Sequence, residues 1–237
     1  MAATSGDYQC QTLLGELLSK GQGAAVAAAL PPREVAIDIV SSDSVQEDAI
    51  ATEADSVLHV VAAAGDGKRY LESAEVIYGK ARQLLVATNS NGDTPLHCAA
   101  RAGNRKMVAR LIELVADDKS IGGGEEKARE LLKMQNKRGE TALHEAVRFG
   151  DTKMVKAILK MDTDKQLARL DAKDGTSPLY LACSLGHREI ARKLHEHDKM
   201  LSYSGPHGQN ALHAAVLNDK SEVLLWLHET SYEIAYV

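Results

Sequence analysis

Histidine is the side chain in this 237-residue sequence best placed for acid–base or metal chemistry, and there are nine of them. Four of the nine, His59, His97, His144 and His213, each close a version of one short phrase: Ser56-Val57-Leu58-His59, Thr94-Pro95-Leu96-His97, Thr141-Ala142-Leu143-His144 and Asn210-Ala211-Leu212-His213. A general base is one residue set against one substrate. A histidine repeated at a fixed point of a recurring phrase is instead read as a donor or acceptor for nearby turn backbone. Tyr180 ends a fifth copy, Ser177-Pro178-Leu179-Tyr180, as an exchangeable hydrogen-bonding group. The run His195-Glu196-His197-Asp198 contains only metal-ligating residue types. Residues one or two apart on a helix face different sides, so this run reads as a solvated helix end. Cys10, Cys98 and Cys183 lack metal-type spacing. The sequence has no HExxH string, nucleophile elbow or Gly-rich phosphate loop. It is read as a non-enzyme, with no metal and no cofactor.

The phrase itself describes the elements that carry these residues. Its leucines are 38, 47, 36 and 33 residues apart. Ser, Thr and Asn before each are N-cap types, and Pro95 and Pro178 fall at the first helical position, where no N–H is needed. Small residues follow (Ala99-Ala100, Ala146-Val147, Ala182-Cys183, Ala215-Val216), allowing close helix approach. Gly65, Gly103, Gly150 and Gly186 then predict left-handed helix stops; Asn218 takes that role in the last copy. Second helices are predicted from Met107, Val108, Leu111 and Ile112; Met154, Val155, Ile158 and Leu159; Ile190, Ala191 and Leu194; and Val223, Leu224, Leu225 and Leu227. Gly92, Gly139, Gly175 and Gly208 precede the leucines by four residues and predict tight turns. Ala54 holds that place in the first copy.

This combination resembles the ankyrin repeat family over roughly residues 55–230, which implies an all-α solenoid of stacked helix pairs with finger loops. The strings Ala87–Gly103, Gly139–Arg148 and Ser177–Ala182 also resemble plant ankyrin proteins that end in a PGG-type membrane domain, the accelerated-cell-death type among them. That resemblance implies a protein-interaction module, with a role in defence or cell-death signalling. The alternative it implies is the cytosolic regulatory or assembly domain of a larger membrane protein.

Ankyrin arrays generally bind with finger tips and the exposed side of the first helices. Carried over by offset, this implies a partner-binding set of Asp93, Arg101, Lys137, Arg138, Glu140, Arg148, Phe149, Lys173, Thr176, Leu185, His207 and Leu217. Phe149 is the only phenylalanine, and with Leu185 and Leu217 it forms a candidate apolar strip. Lys137, Arg138, Arg148 and Lys173 form a basic edge. The expected partner is a protein with an apolar anchor flanked by acidic residues; self-association is a further expectation. Two readings of Phe149 stand: groove anchor, or a side chain folded back onto the next repeat.

Residues 1–30 read as a degenerate capping helix pair, 31–54 as an acidic linker, and 55–237 as about five repeats with a surface-loop insertion near 116–126. The net charge of −5 belongs to the leader: residues 1–50 hold 7 acids and 2 bases, and the remainder is formally neutral. Such a balance argues against nucleic acid as a partner. No apolar run reaches the ~20 residues that span a bilayer, and no signal peptide is visible. The expected location is the cytoplasm, or the cytosolic face of a membrane for a longer native protein.

Overall fold

The computed structural model describes residues 55–117 and 123–234; the expected leader cap, acidic linker and Ala54 lie outside the described residues. Eleven α-helices and no strands are present among the described residues. The class is therefore all-α, built from stacked helix pairs. The chain falls into two compact units, one reaching Leu114 and one beginning at Val115.

The first unit contains α1 (Val57–Ala64), α2 (Lys68–Lys80), α3 (Pro95–Arg101) and most of α4 (Arg105–Ala116). Helices α1 and α3 lie side by side. Leu58, Ala62, Leu96, Ala99 and Ala100 are fully buried, so small residues do bring the first helices together. Met107, Val108, Leu111 and Ile112 bury the inner face of α4. The stop at Gly65 differs from expectation: its φ of 164° is extended backbone. A Cβ there would lie 2.8 Å from the Tyr70 ring, so a larger residue requires that ring to shift.

The second unit contains α5 (Gly124–Lys133), α6 (Ala142–Phe149), α7 (Thr152–Met161), α8 (Pro178–Leu185), α9 (Arg188–His197), α10 (Ala211–Leu217) and α11 (Ser221–Ile234). First helices α6, α8 and α10 stack in order, and second helices α7, α9 and α11 stack behind them. The long leucine spacing has a cause other than the expected loop alone. Its far end, from Gly124, is helical, and α5 buries Ala128, Leu131 and Leu132 while packing on α6 and α7.

The last helix pair departs from the expected pattern in two places. Asp219, at φ 52°, makes the left-handed turn while Asn218 stays at negative φ. Leu225 is exposed, and the buried aromatic beside it is Trp226, edge-on to the His195 ring at 5.8 Å between centroids.

Candidate interaction face

Three of the fingers are the same closed turn. Asn89, Asn136 and Ala172 donate their N–H to the carbonyls of Asp93, Glu140 and Thr176 at 2.9–3.0 Å. Gly92, Gly139 and Gly175 donate back to the same three residues at 2.8–2.9 Å. The side-chain oxygen of Asn136 accepts from Arg138 and Glu140 N–H groups, and Asn89 does the same one finger earlier. The second and third of these fingers are tied by main chain, Lys173 N–H donating to the Arg138 carbonyl at 2.8 Å. At Gly139 a Cβ would stand 2.7 Å from that Lys173 nitrogen, so the approach itself demands glycine.

The repeated histidine joins one finger to the next. The Thr141 N–H donates to His144 Nδ1 at 3.1 Å, and His144 Nε2 lies 3.2 Å from the Thr176 carbonyl. A carbonyl can only accept, so Nε2 carries the proton and Nδ1 is the acceptor. The ring thus plays the part that Glu or Gln takes in a capping box while bridging to the next repeat. His59 repeats the arrangement with Ser56 and the Asp93 carbonyl. Burial pushes the His144 pKa down to about 4 against the opposing pull of the Thr176 carbonyl, and lowers His59 for the same reason. Tyr180 reaches further and donates its hydroxyl to Gln209 Oε1 at 2.6 Å. These side chains are structural ties between fingers, as the repetition predicts.

The expected binding set separates into a buried and an exposed group. Asp93, Glu140 and Thr176 are buried, which corrects their assignment as exposed tip residues. Asp93 lies under Arg101, with 2.7 Å between Oδ2 and Nη2. Glu140 pairs with Arg148 and also lies 2.6 Å from Arg138. Both acids meet an arginine eight residues later, at the end of the helix that follows. Glu145, absent from the expected set, is buried between Arg138 at 3.1 Å and Arg148 at 2.7 Å. Its signal in the sequence is the three-residue spacing to Arg148 on one helix face. The basic edge is therefore corrected: Arg138 and Arg148 are balanced by two buried acids. Lys137 and Lys173 are exposed and form no salt bridge among the described residues.

The apolar strip faces outward. Phe149, Leu185 and Leu217 are 52%, 40% and 68% exposed, which removes the folded-back reading of Phe149. They end α6, α8 and α10 respectively. His207 is exposed at the tip of the last described finger, at φ 57°.

The members of the His195–Asp198 run point apart, as their spacing predicts, but the run is not the solvated helix end expected, since His195 and Asp198 are buried. His195 is buried against Trp226, and Glu196 pairs with Arg192 and Lys193. His197 Nε2 lies 3.1 Å from Asp162, and Asp198 takes Arg169 at 2.6 and 3.0 Å. No group of three potential ligands converges among the described residues. Burial raises the Cys183 thiol to about 12, so it stays protonated and inert as a small core side chain. No helix among the described residues is long and apolar enough to cross a membrane.

A family model described as Ankyrin repeats (3 copies) matches residues 58–169 and 162–235. A search of curated proteins finds no match.

Proposed function

Because the chain belongs to the ankyrin repeat family, a non-enzymatic module that generally mediates protein–protein interaction, we propose that it binds a protein partner on the exposed face of α6, α8 and α10. The observation that carries this is the exposure of Phe149, Leu185 and Leu217 at the ends of α6, α8 and α10, while Leu143, Val147 and Leu179 on the first two of these helices are buried. Aromatic and apolar anchors with a polar rim are where binding energy concentrates. The rim charge that favours an acidic partner comes from Lys137 and Lys173. Arg138 and Arg148 contribute less because Glu140 and Glu145 neutralise them.

Capture of proteins from plant extract tests the face. The baits are the wild-type chain, Phe149→Ala/Leu185→Ala, and Leu225→Ala, which truncates an exposed leucine on a second helix. Clients held by the wild type and Leu225→Ala but lost by the double variant support the proposal. Each anchor is expected to contribute about 2 kcal/mol of binding, with thermal stability unchanged. Equal retention by all three moves the site elsewhere. Arg148 is the wrong target, since its removal leaves the two buried carboxylates of Glu140 and Glu145 to Arg138 alone.

A second reading makes the chain the cytosolic regulatory domain of a plant membrane assembly active in defence. The short strings that resemble that group support it, as does the outward-facing Leu212–Val216 edge of α10. Recovery of a membrane-anchored product by an antibody to residues 55–117 is its test; an exclusively soluble product removes it.

A further inference from the structure

We propose that this chain stacks end to end on a second copy of itself, the open side of α10 and α11 receiving the first helix pair of the next copy as each repeat receives its successor. This surface is separate from the one that bears Phe149 and Leu185, and the inference does not rest on the partner proposed above.

Comparison between repeats defines the open side. Leu58 and Ala62 on α1, Leu143 and Val147 on α6, and Leu179 and Cys183 on α8 are all 0% exposed, and each of these helices has the next first helix packed on it. On α10 the same two positions are Leu212 and Val216, 48% and 57% exposed. The second helices repeat the contrast. Val155 and Ala191 are fully buried, whereas Leu224, at the matching place on α11, is half-buried. Three apolar residues thus stand open where the two preceding repeats are covered. An end repeat normally carries a polar outer face instead.

A polar group marks the same side. His59 and His144 bring Nε2 to the carbonyls of Asp93 and Thr176, each three residues before the next repeated leucine. His213 makes the same first-turn contact, the Asn210 N–H donating to its Nδ1 at 3.2 Å. Its Nε2 has no such carbonyl among the described residues.

The first helix of the chain supplies the matching side. Ala211 and Ala214 stay 0% exposed on α10 although its far side is open, so their positions face the preceding repeat. In α1 those positions are Val57 and Val60, and both are half-buried. The place of Val57 is buried in every later copy, as Pro95, Ala142, Pro178 and Ala211. Asp55 is exposed three residues before Leu58, so a second copy holds a carbonyl at the offset that His213 requires. One chain therefore carries both halves of a joint that continues the α8–α10 and α9–α11 contacts by one repeat. The two halves differ, so the joint is head-to-tail and each added copy leaves a new open side.

Sedimentation of the whole chain across a range of concentration tests this. The expected mass rises with concentration past that of two copies. Leu212→Glu should weaken the joint at least about tenfold, since it buries a carboxylate without a partner. Its thermal melt in dilute solution should match the wild type, because Leu212 is already half in water. Val57→Glu should block the joint from the other side, with Val60→Glu replacing it where Val57→Glu lowers the melt. Mixing the Leu212→Glu chain with the Val57→Glu chain should then give a discrete pair, each supplying the side that the other lacks. A wild type that stays monomeric, or variants that fail to pair, overturns the proposal. Association that stops at two copies, is lost with Leu212→Glu and is untouched by Val57→Glu and Val60→Glu shows α10 meeting α10, and overturns it too. Phe149→Ala/Leu185→Ala should associate as the wild type does. Loss of association in that variant places the contact on the partner face and overturns the stacking, while that face stands.

Discussion

The pairs α6–α7 and α10–α11 begin with nearly the same words, Thr-Ala-Leu-His and Asn-Ala-Leu-His, and end in different environments. In the first, Leu143 is 0% exposed and His144 is buried with its Nε2 on the Thr176 carbonyl. In the second, Leu212 is 48% exposed and His213 is exposed too. The first turn is built alike in both: Thr141 and Asn210 each donate their N–H to the Nδ1 of the histidine three residues on, at 3.1 and 3.2 Å. The phrase thus encodes a capped first turn by itself. Burial of its leucine and the second bond of its histidine come from the repeat that stacks next.

Substitution of the two leucines breaks the comparison most sharply. Leu143→Ala is expected to cost about 2–5 kcal/mol, since it empties a fully enclosed site. Leu212→Ala should cost under about 1 kcal/mol, because half its surface is already in water. Chemical denaturation of the two variants measures both, and equal losses would mean that the terminal leucine is covered in solution.

Acid sharpens the same contrast through His144. Its folded pKa is held at about 4, against 6.5 for an ordinary histidine, so its contribution is complete above pH 6.5. As pH falls below 6.5 the unfolded chain takes up the proton first, and about 3 kcal/mol is lost by pH 4. Denaturation midpoints across this window should fall for the wild type and fall less for His144→Gln, which keeps a capping-box side chain. Parallel curves would place the titration elsewhere.

Caps give the smallest effect. Thr141→Ala should cost about 1 kcal/mol, and Asn210→Ala about half that, since the exposed N–H groups of α10 can turn to water. Thermal melts resolve the order, and its reversal would contradict the role assigned to stacking.

Much of the architecture could be read from short-range rules. N-cap types, Pro95 and Pro178 at helix starts, and glycines at positive φ such as Gly92, Gly139, Gly150 and Gly186 are each decided within a few residues. Outward-facing Phe149, Leu185 and Leu217 were legible too, through the family offset. The burial of Asp93 and Glu140 was not. An acid at a finger looks solvated until Arg101 or Arg148, eight residues on, folds back over it. Nor was α5 legible, because its Ala128, Leu131 and Leu132 form too short a stripe to announce a helix without the partners that bury it.

The sequence alone therefore determined where the first helix of each repeat begins, where most of these helices stop, and that the repeated histidine is a tie between turns. Those outcomes depend on caps, turns and side-chain reach over distances of one or two turns. The tertiary structure alone decided which charges remain available to a partner and which leucines are core. Both depend on what a neighbouring repeat places against them: Glu145 and Glu140 cancel two arginines, while the face of α10 that bears Leu212 has nothing stacked over it among the described residues.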